Sequence, residues 1–258
     1  MDITHDLSRR TVLVTGASSG LGARFARILA ASGANVVLAA RRTSLLDEIC
    51  EEIKASGGRA IAVAMDVVDE SSTIAAYDAA EEAFGPVDGV VANAGMTIDG
   101  LALDLDPDAF DKVFAVNVRG AFLTSREGAR RMIAAGSKER RHGRIAIVAS
   151  VTAEIVVPAL APYSASKAAV LQMARVLARE WANRGINVNV ISPGYIRTDI
   201  NAEWFDTDAG KKQISGWPRR RLMDDGALDA TLLYLMSDSC AQVTGSEFKI
   251  DDGQTLAG

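Results

Sequence analysis

Several features are scarce in this 258-residue sequence, and each scarcity excludes a class of protein. Only 6 prolines, with 48% hydrophobic residues, exclude a disordered or collagen-like chain. Basic residues do not predominate: 28 stand against 33 acidic ones, giving a net charge of −5. Because the chain lacks the positive field that holds nucleic acid, we expect no nucleic-acid partner.

Cysteine and long apolar runs are also scarce. Cys50 and Cys240 lie far apart, which is atypical of a disulfide framework or a paired metal motif and favours a reducing compartment, so no metal site is expected. The N-terminal sequence MDITHDLSRR has polar residues where a secretory signal needs an apolar core. No later stretch reaches the roughly 18 to 20 apolar residues that span a bilayer. We predict a cytoplasmic protein without a membrane partner.

Short apolar runs alternate with longer segments of helical periodicity. The runs begin at Thr11, Asn35, Ala60, Val87, Arg144, Ile186 and Glu247. Because most are continuous rather than alternating, they predict strands buried on both faces. Asp106 followed by Pro107 predicts the start of a long helical segment that Gly136 ends. The sequence therefore predicts an α/β fold, a Rossmann-like doubly wound parallel sheet of about seven strands, in a single domain over residues 1–258.

A glycine-rich turn, TGASSGLG at 15–22, follows the first predicted strand and precedes a helical segment. A strand that turns sharply into a helix needs residues without Cβ where the backbone approaches a pyrophosphate, and the helix N-terminus supplies free N–H groups. A turn with a purely structural role is the alternative. We expect a dinucleotide site formed by Gly16, Ser18, Ser19, Gly20 and Leu21.

The end of the second strand bears on the choice of dinucleotide. An acidic residue commonly binds the ribose 2′-hydroxyl there, but this strand ends Ala39-Ala40-Arg41-Arg42. A guanidinium can bind a 2′-phosphate, which a carboxylate would repel. We predict NADP(H) as the preferred cofactor, with Arg41 as the first candidate for the phosphate and Arg42 beside it. NAD(H), with both arginines exposed to solvent, is the alternative.

Three polar side chains are expected to share one crevice. Tyr163 and Lys167 stand four apart in a segment predicted to be helical from Pro162 to about Arg184, so they share a helix face. An ammonium beside a phenol stabilises the phenolate, so Lys167 should lower the pKa of Tyr163 toward the range useful for proton transfer. Ser150 follows the fifth predicted strand, at the edge where parallel sheets bind ligands.

In order and spacing these motifs resemble the short-chain dehydrogenase/reductase family, in its single-domain form, from about residue 10 to residue 253. The matching segments are TGASSGLG at 15–22, Asp66-Val67, ANAG at 92–95, VNVRG around Asn117, Ser150, YSASK at 163–167 and SPGYIRTD at 192–199. The resemblance implies that Tyr163 is the acid or base at the reacting oxygen and that Ser150 hydrogen-bonds the same oxygen. Lys167 would bind the nicotinamide ribose, and Asn117 would hold a water that links Lys167 to a proton relay.

The resemblance also implies the remaining cofactor contacts. It assigns the adenine to Asp66 and Val67, the adenosine ribose to Asn93, Ala94 and Gly95, and the nicotinamide to Pro193, Gly194, Ile196 and Thr198. Structural alternatives are that Asn93 stabilises the sheet, Asn117 a kinked helix, and Thr198 the start of the next helix. A homo-oligomer, tetramer or dimer, is implied, although the charged sequence IDDG at 250–253 departs from the family pattern and slightly weakens the prediction of a tetramer.

Two segments are expected to shape the substrate pocket: the loop after Ser150 and a lid around residues 196–222. The candidate substrate contacts are Ser150, Tyr163, Ile155, Tyr195 and Trp204. A medium-sized apolar ketone or its alcohol fits best, unless the lid aromatics only pack against the body. The arginines at 219–221 would suit a 3-oxoacyl thioester on a phosphorylated carrier, or simply face solvent.

The sequence thus predicts an oxidoreductase that transfers a hydride between a nicotinamide cofactor, with NADP(H) favoured, and a ketone or secondary alcohol. One alternative is an NAD-dependent dehydrogenase that oxidises a secondary alcohol or sugar. Another is a non-catalytic dinucleotide-sensing regulator, since fold alone does not establish catalysis.

Overall fold

The structure, a computed structural model, describes residues 5–197 and 202–256. These residues form one seven-stranded sheet whose strands all pair in parallel, in the order β3-β2-β1-β4-β5-β6-β7. The strands are β1 Thr11–Thr15, β2 Asn35–Ala40, β3 Arg59–Ala64, β4 Gly89–Ala92, β5 Gly143–Val148, β6 Ile186–Pro193 and β7 Glu247–Ile250. The predicted Rossmann-like parallel sheet is confirmed.

Helices cover both faces of the sheet. They are α1 Gly20–Ala31, α2 Thr43–Ala55, α3 Glu70–Phe84, α4 Pro107–Phe114, α5 Ala121–Ala134, α6 Ser137–Arg140, α7 Ala161–Trp181, α8 Ala202–Asp206, α9 Asp208–Gly216 and α10 Asp229–Met236. In β1, Val12 and Val14 belong to a core shared with α1, α2 and α10, whereas Leu13 belongs to the core under α3, α5 and α7. A continuous apolar strand is therefore buried on both faces, as the doubly wound fold requires. No helix in the described ranges is both long and apolar enough to cross a membrane.

The segment that starts at Pro107 is interrupted by a π-helix. The Asp106 carboxylate caps α4 by accepting a hydrogen bond from Asp108 N at 2.9 Å, as the Asp-Pro pair predicts. Ala115–Gly120 then form a π-helix before α5 begins. Gly136, with φ of 82°, ends the segment at the predicted place. Single π-helical turns are frequent at functional sites, and this one contains a candidate catalytic residue.

The crevice expected for a ligand lies where the strand order changes direction. From β1 the chain builds outward through β2 and β3 on one side, and through β4 to β7 on the other. The loops after β1 and β4 therefore separate at the C-terminal edge of the sheet, where open α/β sheets bind ligands. The motifs found in the sequence follow these strand ends.

Candidate active site

The glycine loop between β1 and α1 packs so closely that only glycine fits at two positions. Gly16 has φ of 66°, and a Cβ there would stand 2.9 Å from Ala94 Cα. A Cβ at Gly22 would stand 2.2 Å from Gly16 O. At Gly20, by contrast, a Cβ would meet open space, and Ser19 at the N-cap of α1 makes no side-chain capping bond. The backbone N–H groups at the start of α1 are thus free of a side-chain cap, which suits an anionic ligand.

Arg42 contacts the glycine loop. Its Nη2 donates to Ser18 Oγ at 3.0 Å and to Ser19 Oγ at 2.7 Å, and its Nε lies 3.2 Å from Ser18 Oγ. Arg41 and Arg42 are both exposed to solvent. A cleft of about 560 Å³ runs beside the loop, and its lining includes Ser18, Ser19, Gly20, Leu21, Arg42 and Ile196. The sequence ranked Arg41 first for a 2′-phosphate, whereas in the structure it is the Arg42 guanidinium that lies on the loop.

A threonine at the end of β1 joins this loop to the segment after β4. Thr15 Oγ1 accepts hydrogen bonds from Asn93 N and Ala94 N, each at 3.1 Å, and Asn93 Nδ2 donates to Thr15 O at 3.0 Å. Asn93 therefore stabilises the sheet by joining β1 to the segment after β4, which is the structural alternative considered above. The resemblance assigns the adenosine ribose to the same segment. Sequence reasoning missed Thr15, although it belongs to the TGASSGLG motif.

Asp66 and Val67, which the resemblance places at the adenine, follow the end of β3. The Asp66 carboxylate accepts from Val68 N at 3.2 Å, and Asp66 N donates to Ser72 Oγ at 2.9 Å. A Cβ at Gly120 would stand 2.7 Å from Val67 Cγ2. The π-helix therefore packs directly against Val67.

Four candidate catalytic residues meet at the C-terminal edge of the sheet. Lys167 Nζ lies 5.5 Å from the centre of the Tyr163 ring and donates to Val148 O, at the end of β5, at 2.9 Å. A Cβ at Gly95 would stand 3.4 Å from Lys167 Nζ and 3.5 Å from Asn117 Oδ1. Ser150 begins the turn after β5, and its hydroxyl hydrogen-bonds the Tyr163 phenol and lowers the pKa of that phenol. The structure thus brings together the residues that the sequence singled out.

The pKa shift of Tyr163 beside Lys167 differs from the expectation. Lys167 is only 4% exposed, and burial lowers its pKa to about 8. Burial raises the pKa of Tyr163, and the hydrogen bond with Ser150 offsets this only in part. The predicted net lowering of the Tyr163 pKa is therefore wrong in this structure. The physical reason is that loss of solvent around the phenolate dominates, while Lys167 Nζ is directed to a backbone carbonyl.

Asn117 uses its side chain to join the loop after β4 to α7. Its Nδ2 donates to Met96 O at 3.0 Å and to Ser166 Oγ at 2.9 Å, and its Oδ1 accepts from Met96 N at 2.8 Å. Ser166 Oγ in turn donates to Tyr163 O at 2.7 Å. Asn117 therefore positions the helix that carries Tyr163 and Lys167.

The segment expected at the nicotinamide is held by the C-terminal end of the chain. Pro193 ends β6, and Gly194 N donates to Ile250 O at 2.8 Å. Gln254 Oε1 accepts from Tyr195 N at 2.6 Å, and its Nε2 donates to Tyr195 O at 3.2 Å. No motif pointed to Gln254. Ile196 is buried, and Thr198 lies outside the described residues.

The lid aromatics divide into two groups. Phe205 and Trp217 are buried and pack on Tyr195, which stacks on Trp217 at 5.2 Å between ring centres. They fit the alternative in which lid side chains pack against the body. Trp204 is 50% exposed, and its Nε1 donates to Gln213 Oε1 at 2.8 Å. Ile155, on the loop after Ser150, is half-buried.

The extra acid of the IDDG segment pairs within the chain. Asp252 lies 3.1 Å from Arg219 Nε and 2.8 Å from Arg221 Nε. Two of the three arginines considered for a phosphorylated carrier therefore already have a carboxylate partner. No group of three histidines, cysteines or carboxylates in the described part of the chain could hold a metal ion.

Comparison with known proteins assigns the family. Residues 10–209 match the short chain dehydrogenase family. Versicolorin reductase of Emericella nidulans is 35% identical, covering 96% of this chain and 97% of that protein. Galactitol 2-dehydrogenase (L-tagatose-forming) of Cereibacter sphaeroides is 37% identical, covering 94% of each chain. A short chain dehydrogenase from Burkholderia cenocepacia, solved in complex with NADP, is 32% identical with a TM-score of 0.88, covering 97% of this chain and 99% of that one. The chain therefore belongs to the short-chain dehydrogenase family and is an NAD(P)-dependent oxidoreductase acting on CH–OH or C=O groups.

Proposed function

We propose that this protein uses NADPH to reduce a ketone to a secondary alcohol at Tyr163, and that it carries out the reverse oxidation with NADP⁺. The observation that carries the proposal is the joint position of Asn117, Ser150, Tyr163 and Lys167 beside the glycine loop. The cofactor, when bound, supplies the hydride. The residues of the chain supply the proton and orient the reacting groups.

In this proposal the phenol of Tyr163 is the proton donor. Because burial raises its pKa, the phenol stays protonated near neutral pH and can protonate a carbonyl oxygen that gains negative charge. The Ser150 hydroxyl hydrogen-bonds the same oxygen, and the buried ammonium of Lys167 stabilises the negative charge that remains on Tyr163. Asn117 keeps α7 against the loop after β4, so the donor stays in place.

The glycine loop and Arg42 fit a phosphorylated dinucleotide. Gly16 and Gly22 leave room only for backbone, and open space adjoins Gly20, where the start of α1 would face a pyrophosphate. The Arg42 guanidinium on Ser18 and Ser19 would bind a 2′-phosphate by charge-assisted hydrogen bonds. The NADP complex of the Burkholderia cenocepacia relative agrees with this preference.

We assign the substrate side to Ser150, Tyr163, Ile155, Tyr195 and Trp204, under a lid around residues 196–222. Aromatic and aliphatic side chains predominate there, which favours a medium-sized apolar ketone. A 3-oxoacyl thioester on a phosphorylated carrier is less favoured, because Asp252 already pairs with Arg219 and Arg221. The homo-oligomeric state and the cytoplasmic location stay predictions.

The second candidate function is an NAD-dependent dehydrogenase of a secondary alcohol or sugar. It is favoured by the similarity to a galactitol 2-dehydrogenase. A regulator that only senses the dinucleotide is disfavoured, since a sensor needs no proton donor beside the site.

The test is a screen of the purified protein for cofactor oxidation and reduction. Ketones, aldehydes and 3-oxoacyl thioesters are offered with NADPH or NADH, and secondary alcohols and sugars with the oxidised cofactors. We expect turnover of an apolar ketone with NADPH, and none by Tyr163→Phe. Preferred oxidation of alcohols or sugars with NAD⁺ would support the second candidate. Cofactor binding without turnover in any pair would overturn both.

A further inference from the structure

Thr152 contacts Ser150 through both of its hydrogen-bond donors. Thr152 N lies 3.1 Å from Ser150 Oγ, and Thr152 Oγ1 lies 3.0 Å from the same atom. The geometry arises because Ser150, in extended backbone conformation, is the N-cap of the 3₁₀ turn Val151–Ala153. Thr152 is 4% exposed and Ser150 9% exposed, so water competes little for these bonds.

The number of protons on Ser150 limits what its hydroxyl can do. A serine hydroxyl has one proton and two lone pairs. Thr152 N–H can only donate, so it takes one lone pair. When the Thr152 hydroxyl also donates, both lone pairs are used, and the one proton of Ser150 is left to point away from Thr152. The hydrogen bond from Ser150 that lowers the pKa of Tyr163 is consistent with donation in that direction.

We propose that Thr152 is a positioning residue that fixes the direction of the Ser150 proton. In this arrangement Thr152 Oγ–H donates to Ser150 Oγ, and Ser150 Oγ–H donates to the reacting oxygen. Successive hydrogen bonds of this kind polarise one another, which strengthens the last donor in the chain. The inference rests on the proposed function of the site, and no motif in the sequence pointed to Thr152.

The test compares two substitutions that differ only in the hydroxyl. Thr152→Val keeps the shape and the backbone N–H but removes the hydroxyl, and Thr152→Ser restores it. We expect Thr152→Val to lower kcat about five- to tenfold, the effect of one neutral hydrogen bond. The KM for NADPH should be unchanged, and the pKa assigned to Tyr163 in the pH profile of kcat should rise. Thr152→Ser should stay within about twofold of the wild type. Thr152→Ala is measured in the same way in case the valine variant fails to fold.

A double-mutant cycle separates this role from a purely structural one. If Thr152 acts through Ser150, Thr152→Val should cause no further loss in a Ser150→Ala background. The matched control is Thr73→Val, since Thr73 is 1% exposed and its hydroxyl donates to Asp69 O at 2.9 Å. This control should lower Tm without changing kcat.

Two outcomes would overturn the role of Thr152. One is a Thr152→Val enzyme, or its alanine counterpart, with the kcat and pH profile of the wild type. The other is a Thr152→Val substitution that lowers kcat by the same factor in the wild-type and Ser150→Ala backgrounds. Both outcomes are distinguishable from failure of the proposed function. That failure would appear as retained turnover in Tyr163→Phe, independently of the result at Thr152.

Discussion

Replacing Lys167 with methionine should stabilise the fold while it abolishes turnover. Burial lowers the pKa of Lys167 from 10.5 to about 8, and each pKa unit corresponds to about 1.4 kcal/mol. At neutral pH, keeping this ammonium charged in the folded protein therefore costs about 3 kcal/mol. Methionine has a similar volume but loses the hydrogen bond to Val148 O, at 2.9 Å, which offsets about 1 to 2 kcal/mol of the gain. We expect a net increase of about 1 to 2 kcal/mol in the free energy of unfolding.

The stability gained by Lys167→Met should shrink as the pH rises. An unfolded lysine keeps its proton up to its ordinary pKa of 10.5, whereas folded Lys167 releases it near a pKa of about 8. Between these values the unfolded chain binds more protons than the folded one, so wild-type stability rises with pH. Lys167→Met lacks this contribution. Its advantage over the wild type should fall by up to about 1.4 kcal/mol for each pH unit above 8.

Denaturant unfolding of both proteins at one protein concentration, between about pH 7 and pH 9.5, measures this difference. The matched control is Lys212→Met, because Lys212 is exposed. Its difference from the wild type should be small and independent of pH. An advantage of Lys167→Met that stays constant with pH would refute the reasoning. So would a Lys167→Met protein clearly less stable than the wild type at neutral pH.

Further predictions concern the dinucleotide site. Arg42→Ala should raise the KM for NADPH about 10- to 100-fold, the loss expected for charge-assisted hydrogen bonds, and leave the KM for NADH nearly unchanged. Arg41→Ala should change either KM by less than about threefold, and equal effects of the two substitutions would contradict the assignment. Gly22→Ala should weaken binding of both cofactors at least about tenfold in fluorescence titrations, because its Cβ would stand 2.2 Å from Gly16 O. Gly216→Ala, whose Cβ would meet open space, should bind both cofactors as the wild type does; a similar loss there would point to a general effect of the substitution.

The sequence predicted the sheet well because its strands carry a strong apolar signal, and every predicted strand start lies within two residues of the observed one. Continuous apolar runs between helical segments are typical of strands buried on both faces, and β1 begins at Thr11 and β2 at Asn35, as predicted. The π-helix Ala115–Gly120 was not predictable. Its residues have ordinary helical periodicity, and the close approach of its last residue, Gly120, to Val67 is visible only in the structure.

The residues of the site were predictable, but their interactions only in part. Glycine and catalytic motifs identify which side chains gather at the sheet edge, since the ends of parallel strands meet there. They do not show which neighbouring arginine turns toward the glycine loop, which in the structure is Arg42. Nor does spacing show solvent exposure, so it missed that burial raises the pKa of Tyr163. Spacing also does not show the shape of a turn. Thr152 was therefore overlooked, because its contact with Ser150 depends on the shape of one turn.

Substitution of Tyr163 by phenylalanine tests the central claim most directly. The variant removes one oxygen from the site, so it should bind NADPH as tightly as the wild type. Steady-state turnover of the ketone found in the screen is measured beside a fluorescence titration of the cofactor. We predict a loss of kcat of at least about 100-fold, the contribution of a general acid, with the cofactor Kd within about twofold. Turnover close to that of the wild type, with intact cofactor binding, would contradict Tyr163 as the proton donor.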